Sequence, residues 1–387
     1  MAERQVDGDL SADRIAFFEA VKEGFRRAAQ ASGTIEKHYR IAGRSVRLRF
    51  AGPALVPVID PALAHLQAQP APTPDLTIDL FDSASTGARL PLLVRSLVDL
   101  LRTNWWEHLL SRREIKGYHG GHIQTAFHLG PDILSVLDTE ANHALYWVND
   151  AVQTPYYERG YPLTNLLNWW LGRRGCIIIH AAAVGHETGG VILPGQGGSG
   201  KSTTTLACLS SALGIVGDDY CAVDQATGDA HSLYNTVKLK GDQDVERFAH
   251  VESFMDHVER VGEGGSLERA MMFLHQHSPG KMLASMPLKG ILIPRVTGRP
   301  ETTIQPASAA AAFKALAPST IFQLAGNERT AFQALVNLSR SIPAFEIGLG
   351  TDIDKIPGVI EQFLDGTPPT SHERPAAATS QAPTNAH

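Results

Sequence analysis

The chain has 387 residues, 43% of them hydrophobic, and a formal net charge of −6, which allows two domains or one large one and excludes both a disordered chain and a basic nucleic-acid-binding stripe. Three cysteines, Cys176, Cys208 and Cys221, lack zinc-ligand spacing and are too few for a disulfide framework, which fits a reducing cytoplasm. No apolar h-region opens the sequence and no apolar run is long enough to cross a bilayer, so the expectation is a soluble cytoplasmic protein with no membrane or nucleic-acid partner.

In chain order, Ile15, Phe18, Val21, Phe25 and Ala28 recur at helical spacing and predict a helix over 11–31. Two short strands follow at 39–42 and 46–50, joined at Gly43 and Arg44, and Leu76, Ile78 and Leu80 alternate as a third. A helical stretch covers 91–113, with Trp105 and Trp106 expected in the core. Strands near 122–128, 132–137 and 143–148 are separated by turn signals, among them Gly130 and Pro131. His119, His122 and His128 lie on this strand-like chain with no evident carboxylate partners, and His275 and His277 lack a third ligand, so neither group predicts a metal site. The segment 1–160 therefore reads as an α+β domain without a catalytic constellation, available for docking or oligomer contacts. A homo-oligomer stays open.

The second domain, 161–366, begins with a helix ending at Trp169 and Trp170, closed by Arg173 and Arg174, and a strand over 176–184. Later elements are a strand at 291–296, helices near 307–317 and 327–340, a strand at 344–348 and a helix at 353–365. From 367 to 387 the composition turns to Pro, Ala, Ser and Thr, and the expectation is a disordered tail.

Gly195, Gln196, Gly197, Gly198, Ser199, Gly200, Lys201, Ser202 and Thr203 fit a phosphate loop between a strand at 191–193 and a helix from 201. Glycines let backbone N–H groups turn toward phosphate oxygens, and the lysine reaches the β and γ phosphates. The Ser202 hydroxyl suits Mg²⁺, and the helix start favours the anion. These residues predict ATP and Mg²⁺ as cofactors. A helix over 201–213 runs away from the phosphates for roughly 18 Å. An extended return through Gly214–Gly217 covers about 16 Å and brings Asp218 and Asp219 back. Two carboxylates there suit one metal contact and one general base.

Two hairpin arguments add neighbours. Pairing about a loop at 185–189 sets Val184 near Gly190 and His180 near Pro194, beside the loop entry. Pairing about a turn at 224–229 sets Tyr234 and Asn235 near Asp219 and Asp218, with Lys238 beyond, in reach of phosphate or substrate.

The segment 162–239 resembles the kinase domain of HPr kinase/phosphorylase and its HPr-kinase-like relatives. The resemblance is carried by His180-Ala-Ala-Ala-Val, the run Gly190 to Ser202, Gly217-Asp-Asp-Tyr and Ser232-Leu-Tyr-Asn-Thr-Val-Lys-Leu. It implies an α/β P-loop kinase domain of the HPr kinase and phosphoenolpyruvate carboxykinase type, preceded here by the α+β domain. It also implies an active site of His180, Lys201, Ser202, Asp218 and Asp219. By resemblance Asp218 is the base toward a substrate serine and Asp219, with Ser202, lies on the metal side. The family's glutamate-containing signature is absent, replaced by the carboxylate-free run at 232–239. The expectation is an ATP-dependent kinase of a serine on a protein or peptide, with little phosphorolysis. Alternatives are a small-molecule phosphoryl transferase and a catalytically inactive nucleotide-binding regulator.

Overall fold

A computed structural model describes residues 2–241, 247–248, 254–260, 267–323 and 328–366; the tail expected over 367–387 lies outside the described residues. The N-terminal part is a six-stranded mixed sheet in the order β1-β2-β3-β6-β5-β4, formed by Thr34–Ile41, Arg44–Ala51, Leu76–Asp82, Ile123–His128, Ile133–Asp138 and His143–Val148 as β1 to β6. β1 and β2 form a hairpin about Ala42 and Gly43, both at positive φ. Their strands extend well beyond the predicted pairs because the turn continues straight into a ladder from Thr34↔Ala51 to Ile41↔Arg44. The helix Ala2–Ser32 lays Phe17, Phe18, Val21 and Phe25 on one face of this sheet, against Phe81 and Trp147. The last turn of helix Leu92–His108 departs from helical geometry at Asn104, which swings Trp105 and Trp106 away from the core. They are 48% and 63% exposed, contrary to the expectation that they pack inside.

The C-terminal part is built on an eight-stranded mixed sheet. Cys176–His186 is β7, Gly189–Pro194 β8, Gly214–Gly217 β9, Tyr220–Asp224 β10 and Asp229–Ser232 β11. β12 (Thr236–Leu239), β13 (His257–Arg260) and β14 (Leu267–Phe273) form a separate three-stranded sheet. Ser285–Val296, Thr303–Pro306 and Ala344–Leu349, as β15 to β17, complete the large sheet in the order β11-β10-β7-β8-β15-β17-β16. β8 pairs antiparallel with β7 and parallel with β15, so the strand that leads into Gly195–Ser202 is central. Helices Ala309–Gln323 and Glu328–Ser341 cover one face through Ala312, Leu316 and Leu335. Lys201–Ala207 and Ile356–Leu364 cover the other through Leu206, Ile356 and Ile360.

The two parts share one continuous apolar core. Tyr39, Leu48, Ile78 and Tyr146 of the N-terminal sheet pack in the same cluster as Trp170, Ile178, Ala222, Tyr234 and Met271. Polar ties reinforce it. Asn235 Nδ2 donates to the carbonyls of Pro61 and Ala62 at 2.9 and 3.0 Å, and His65 Nε2 lies 2.6 Å from Ser232 Oγ. Burial pushes the His65 imidazole down to about 3, which makes it a neutral strut. Asn235→Ala should therefore cost about 1–3 kcal/mol, the usual cost of orphaning buried polar groups. A denaturant midpoint equal to the parent's would contradict that reading of the seam.

Candidate active site

β7 organises the site. On one edge it carries β8, with Ala181↔Pro194 and Val184↔Val191. On the other edge β9 and β10 run in line, with Gly217↔Ala183 and Tyr220↔His180. Asp218 and Asp219 fall in the gap between β9 and β10, across β7 from the end of β8. The expected return of the chain is thus met, although the helix is shorter than predicted: Lys201–Ala207 passes into a 3-10 turn at Cys208–Ser210. The β7–β8 register differs by one residue from the expected one. His186 pairs with Gly189, so the hairpin closes on a two-residue turn at Glu187 and Thr188 rather than a five-residue loop.

The loop expected to bind phosphate runs from Pro194 to the helix start at Lys201. Gly198 and Gly200 take positive φ of 84° and 98°, and a Cβ on Gly200 would stand 2.3 Å from Leu349 Cδ1. Only glycine satisfies both conditions at Gly200. Lys201 is buried, and its Nζ is held by the carbonyls of Gly195 and Gln196 at 2.6 and 3.3 Å. Burial acts to lower the Lys201 pKa, opposed by the charges of Asp219 and Asp218.

The aspartates face different neighbours. Ser202 Oγ donates to Asp218 Oδ2 at 2.9 Å, while Asp218 Oδ1 is buried without a hydrogen-bond partner. Asp219 meets Tyr161 Oη at 2.9 Å, Lys238 Nζ at 3.1 Å and His180 Nε2 at 3.5 Å. Ser202 is thus paired with Asp218, the reverse of the expected grouping with Asp219. Burial, then the adjacent Asp219 charge, pushes the Asp218 carboxyl up to about 6. Burial would raise Asp219 too, but the His180 hydrogen bond and the Lys238 charge outweigh it and hold that carboxyl well below the usual range.

These opposed shifts predict how stability depends on pH without metal or nucleotide. Asp218 binds its proton more tightly folded than unfolded, so its ionisation opposes folding above about pH 6, and stability is regained as pH falls from about 6 toward 4. Asp219 has the opposite sign and loses its contribution only as pH falls below the ordinary carboxylate range. Asp218→Asn should therefore stabilise the protein at pH 7.5 in EDTA by on the order of 2–3 kcal/mol, with the gain vanishing near pH 4. Equal melting curves for parent and variant at pH 7.5 would contradict this.

His180 lies one register position from the expected pairing with Pro194 and turns to Asp219, and Lys238, expected in reach of phosphate or substrate, is bonded to Asp219. Asn235 is turned away from the aspartates toward Pro61 and Ala62, because the expected strand over 231–238 breaks at 233–235. Tyr234 keeps only ring contact with the site, its centroid 5.4 Å from that of Tyr161. Tyr161 is a site residue that the sequence does not announce: it bonds Asp219 and lies under Lys238 Nζ, 4.1 Å from the ring centroid, yet no motif marks it. Of His119, His122 and His128, two do have carboxylate partners, His128 with Glu158 at 2.9 Å and His119 with Glu114 at 3.6 Å. Among the described residues no group of three ligating side chains forms a metal site, and no helix is long and apolar enough to cross a membrane. Compared with known proteins, the chain matches no family model and no curated sequence.

Proposed function

We propose that the chain is an Mg²⁺-ATP-dependent phosphotransferase acting on a serine-type hydroxyl. One observation carries the reading: a phosphate loop and two adjacent aspartates meet across β7, with Ser202 on one aspartate and Lys238, Tyr161 and His180 on the other. The donor set fits the cofactor. Asp218 Oδ1 and Ser199 Oγ are buried polar atoms without partners, and Gly198 has open space where a side chain would stand.

In this reading Lys201 neutralises the β and γ phosphates, and Ser202 with Asp218 holds the metal. When bound, Mg²⁺-ATP supplies an electrophilic γ-phosphorus and an ADP leaving group. Asp219 faces the acceptor. The acceptor oxygen bonds the γ-phosphorus, the bond to the bridging oxygen breaks, and the hydroxyl proton passes to Asp219. His180 and Lys238 keep Asp219 ionised and aimed. A carboxylate of low pKa is a weak base, which suits a loose transition state in which positioning matters more than early deprotonation. The roles expected for the two aspartates are thus exchanged.

A serine on a protein or peptide remains the first acceptor class, and the carboxylate-free run at 232–239 argues for little phosphate-dependent reversal. Supplying phosphoserine peptide with millimolar phosphate should release no pyrophosphate above background; efficient release would overturn that part. Transfer to a small hydroxylated molecule is a second reading, favoured by a cavity of about 610 Å³ that Tyr161, Tyr220 and Lys238 help to line. Labelled ATP offered to peptides and to small hydroxylated acids decides between them. A nucleotide-binding regulator without transfer activity would label neither.

A further inference from the structure

The cavity beside Lys238 belongs to both halves of the chain. Its C-terminal wall includes Tyr161, Leu163 and Lys238, and its N-terminal wall includes Arg113, His128 and Tyr146. Lys238 is the link to the phosphate loop, because its ammonium is bonded to Asp219 and adds to the positive charge around Lys201. Arg113 is held in the N-terminal wall by backbone pairing: its N–H donates to Leu110 O, and its carbonyl accepts from Phe127 N, both at 2.9 Å. Its side chain is exposed, and its charge lies near enough to the Tyr157 phenol to oppose the rise that burial causes there.

Two further observations mark the cavity as built. Arg113 and Leu163 both adopt left-handed backbone, at φ of 66° and 62°. Such strain in residues with large side chains gathers where a ligand must be gripped. In addition, Glu158 is already occupied, with one oxygen on His128 at 2.9 Å and the other accepting from Tyr146 Oη at 3.1 Å. Glu158 is thus hydrogen-bonded within the wall and is the one acid among the lining residues, against Arg112, Arg113 and Lys238. Arg113 and Lys238 face this space from the two halves of the chain.

We propose that this cavity is the acceptor site, and that it takes a hydroxyl compound bearing a carboxylate, the hydroxyl toward Asp219 and the carboxylate on Arg113. The N-terminal half is then the specificity element of the reaction. A volume of about 610 Å³ suits a small ligand or a short extended segment rather than a folded surface. A guanidinium matches a carboxylate in a fork geometry that an amide cannot reproduce. The carboxylate has two possible sources, an acidic residue next to the serine in a peptide or a free hydroxy acid, and both present the same chemistry. The proposal rests on the phosphotransferase reading for its orientation, but its first test is binding without ATP.

The probes are acetyl-Ser-Asp-amide, acetyl-Ser-Asn-amide and D-glycerate, followed by ligand-observed NMR on the full chain. The parent should bind acetyl-Ser-Asp-amide or D-glycerate, with the Asp peptide at least about tenfold tighter than its Asn counterpart if the source is a peptide. Arg113→Gln should remove the carboxylate preference, Arg113→Lys should restore part of it, and Asn165→Trp, at a partly exposed position on the cavity wall, should block all binding. Calorimetry with Mg²⁺-ATP should be unchanged in every variant. No binding of either carboxylate probe to a parent that binds Mg²⁺-ATP, or a preference that survives Arg113→Gln, would overturn the proposal. Probe binding as predicted, without any Mg²⁺-ATP binding, would instead overturn the phosphotransferase reading and leave the cavity assignment standing.

Discussion

Lys201→Ala should reduce affinity for Mg²⁺-ATP by at least about a hundredfold. The lysine is buried where the loop meets the helix and held by two loop carbonyls, the position from which a phosphate-loop lysine reaches the β and γ phosphates. Hydrogen bonds to a charged group contribute about 1.5–3 kcal/mol each, so losing two phosphate contacts accounts for a change of that size. Since Nζ bonds only the carbonyls of Gly195 and Gln196 among the described residues, truncation should also free those carbonyls and loosen the loop. Calorimetry with Mg²⁺-ATP reads the effect directly. A variant that binds as tightly as the parent would remove the loop from the nucleotide site.

The aspartates should separate by phenotype. Asp219→Asn keeps the volume and the hydrogen bond from Tyr161, but it removes the charge that faces Lys238 and His180 and cannot take a proton. Turnover should fall by about 10²–10⁴-fold, the usual contribution of a general base, with nucleotide affinity within a few-fold of the parent's. Asp218→Asn should behave differently. It weakens the pairing with Ser202 and removes the carboxylate proposed to hold the metal, so the Mg²⁺ dependence of ATP binding should shift to higher metal concentration. If Asp218→Asn binds Mg²⁺-ATP normally and only turnover falls, while Asp219→Asn shows the metal defect, the order of roles that the family resemblance implies holds and the exchanged order is wrong.

Much of this site is legible in the amino-acid sequence. Gly195 to Thr203 carry the residue types and spacing expected of a phosphate loop, and the structure sets them between a strand and a helix start, as that spacing predicts. The return of Asp218 and Asp219 follows from matching helix rise against strand rise, and it survives a helix shorter than expected because the 3-10 turn at Cys208–Ser210 takes up the slack. Lys238 is reached by a hairpin argument whose outline is sound and whose detail is not. The chain after Ser232 leaves β11 and joins a different sheet at Thr236, and no local signal in Leu233, Tyr234 or Asn235 announces that exchange. Asn235 is consumed by the seam with Pro61 and Ala62, a contact 173 residues distant that no window along the chain contains.

Other misreadings share this cause. Trp105 and Trp106 are apolar and sit in a helical pattern, but a departure from helical geometry at Asn104 decides their exposure. The two aspartates have different partners, Ser202 for Asp218 and Tyr161, Lys238 and His180 for Asp219, which adjacent identical residues cannot reveal. Tyr161 sits just outside every motif and reaches Asp219 across 58 residues of chain, a span that no local pattern bridges. Secondary structure and the phosphate loop are local properties. The partner of a side chain is not.

The most direct measurement is single-turnover conversion of Mg²⁺-[γ-³²P]ATP by the parent and by Asp219→Asn, with serine peptides and hydroxylated acids as acceptors and ADP followed as an acceptor-independent product. The account predicts label in an acid-stable ester on a hydroxyl, ADP in equal amount, and loss of both in Asp219→Asn while ATP still binds. A parent that binds Mg²⁺-ATP yet labels no acceptor and forms no more ADP than Asp219→Asn would contradict it.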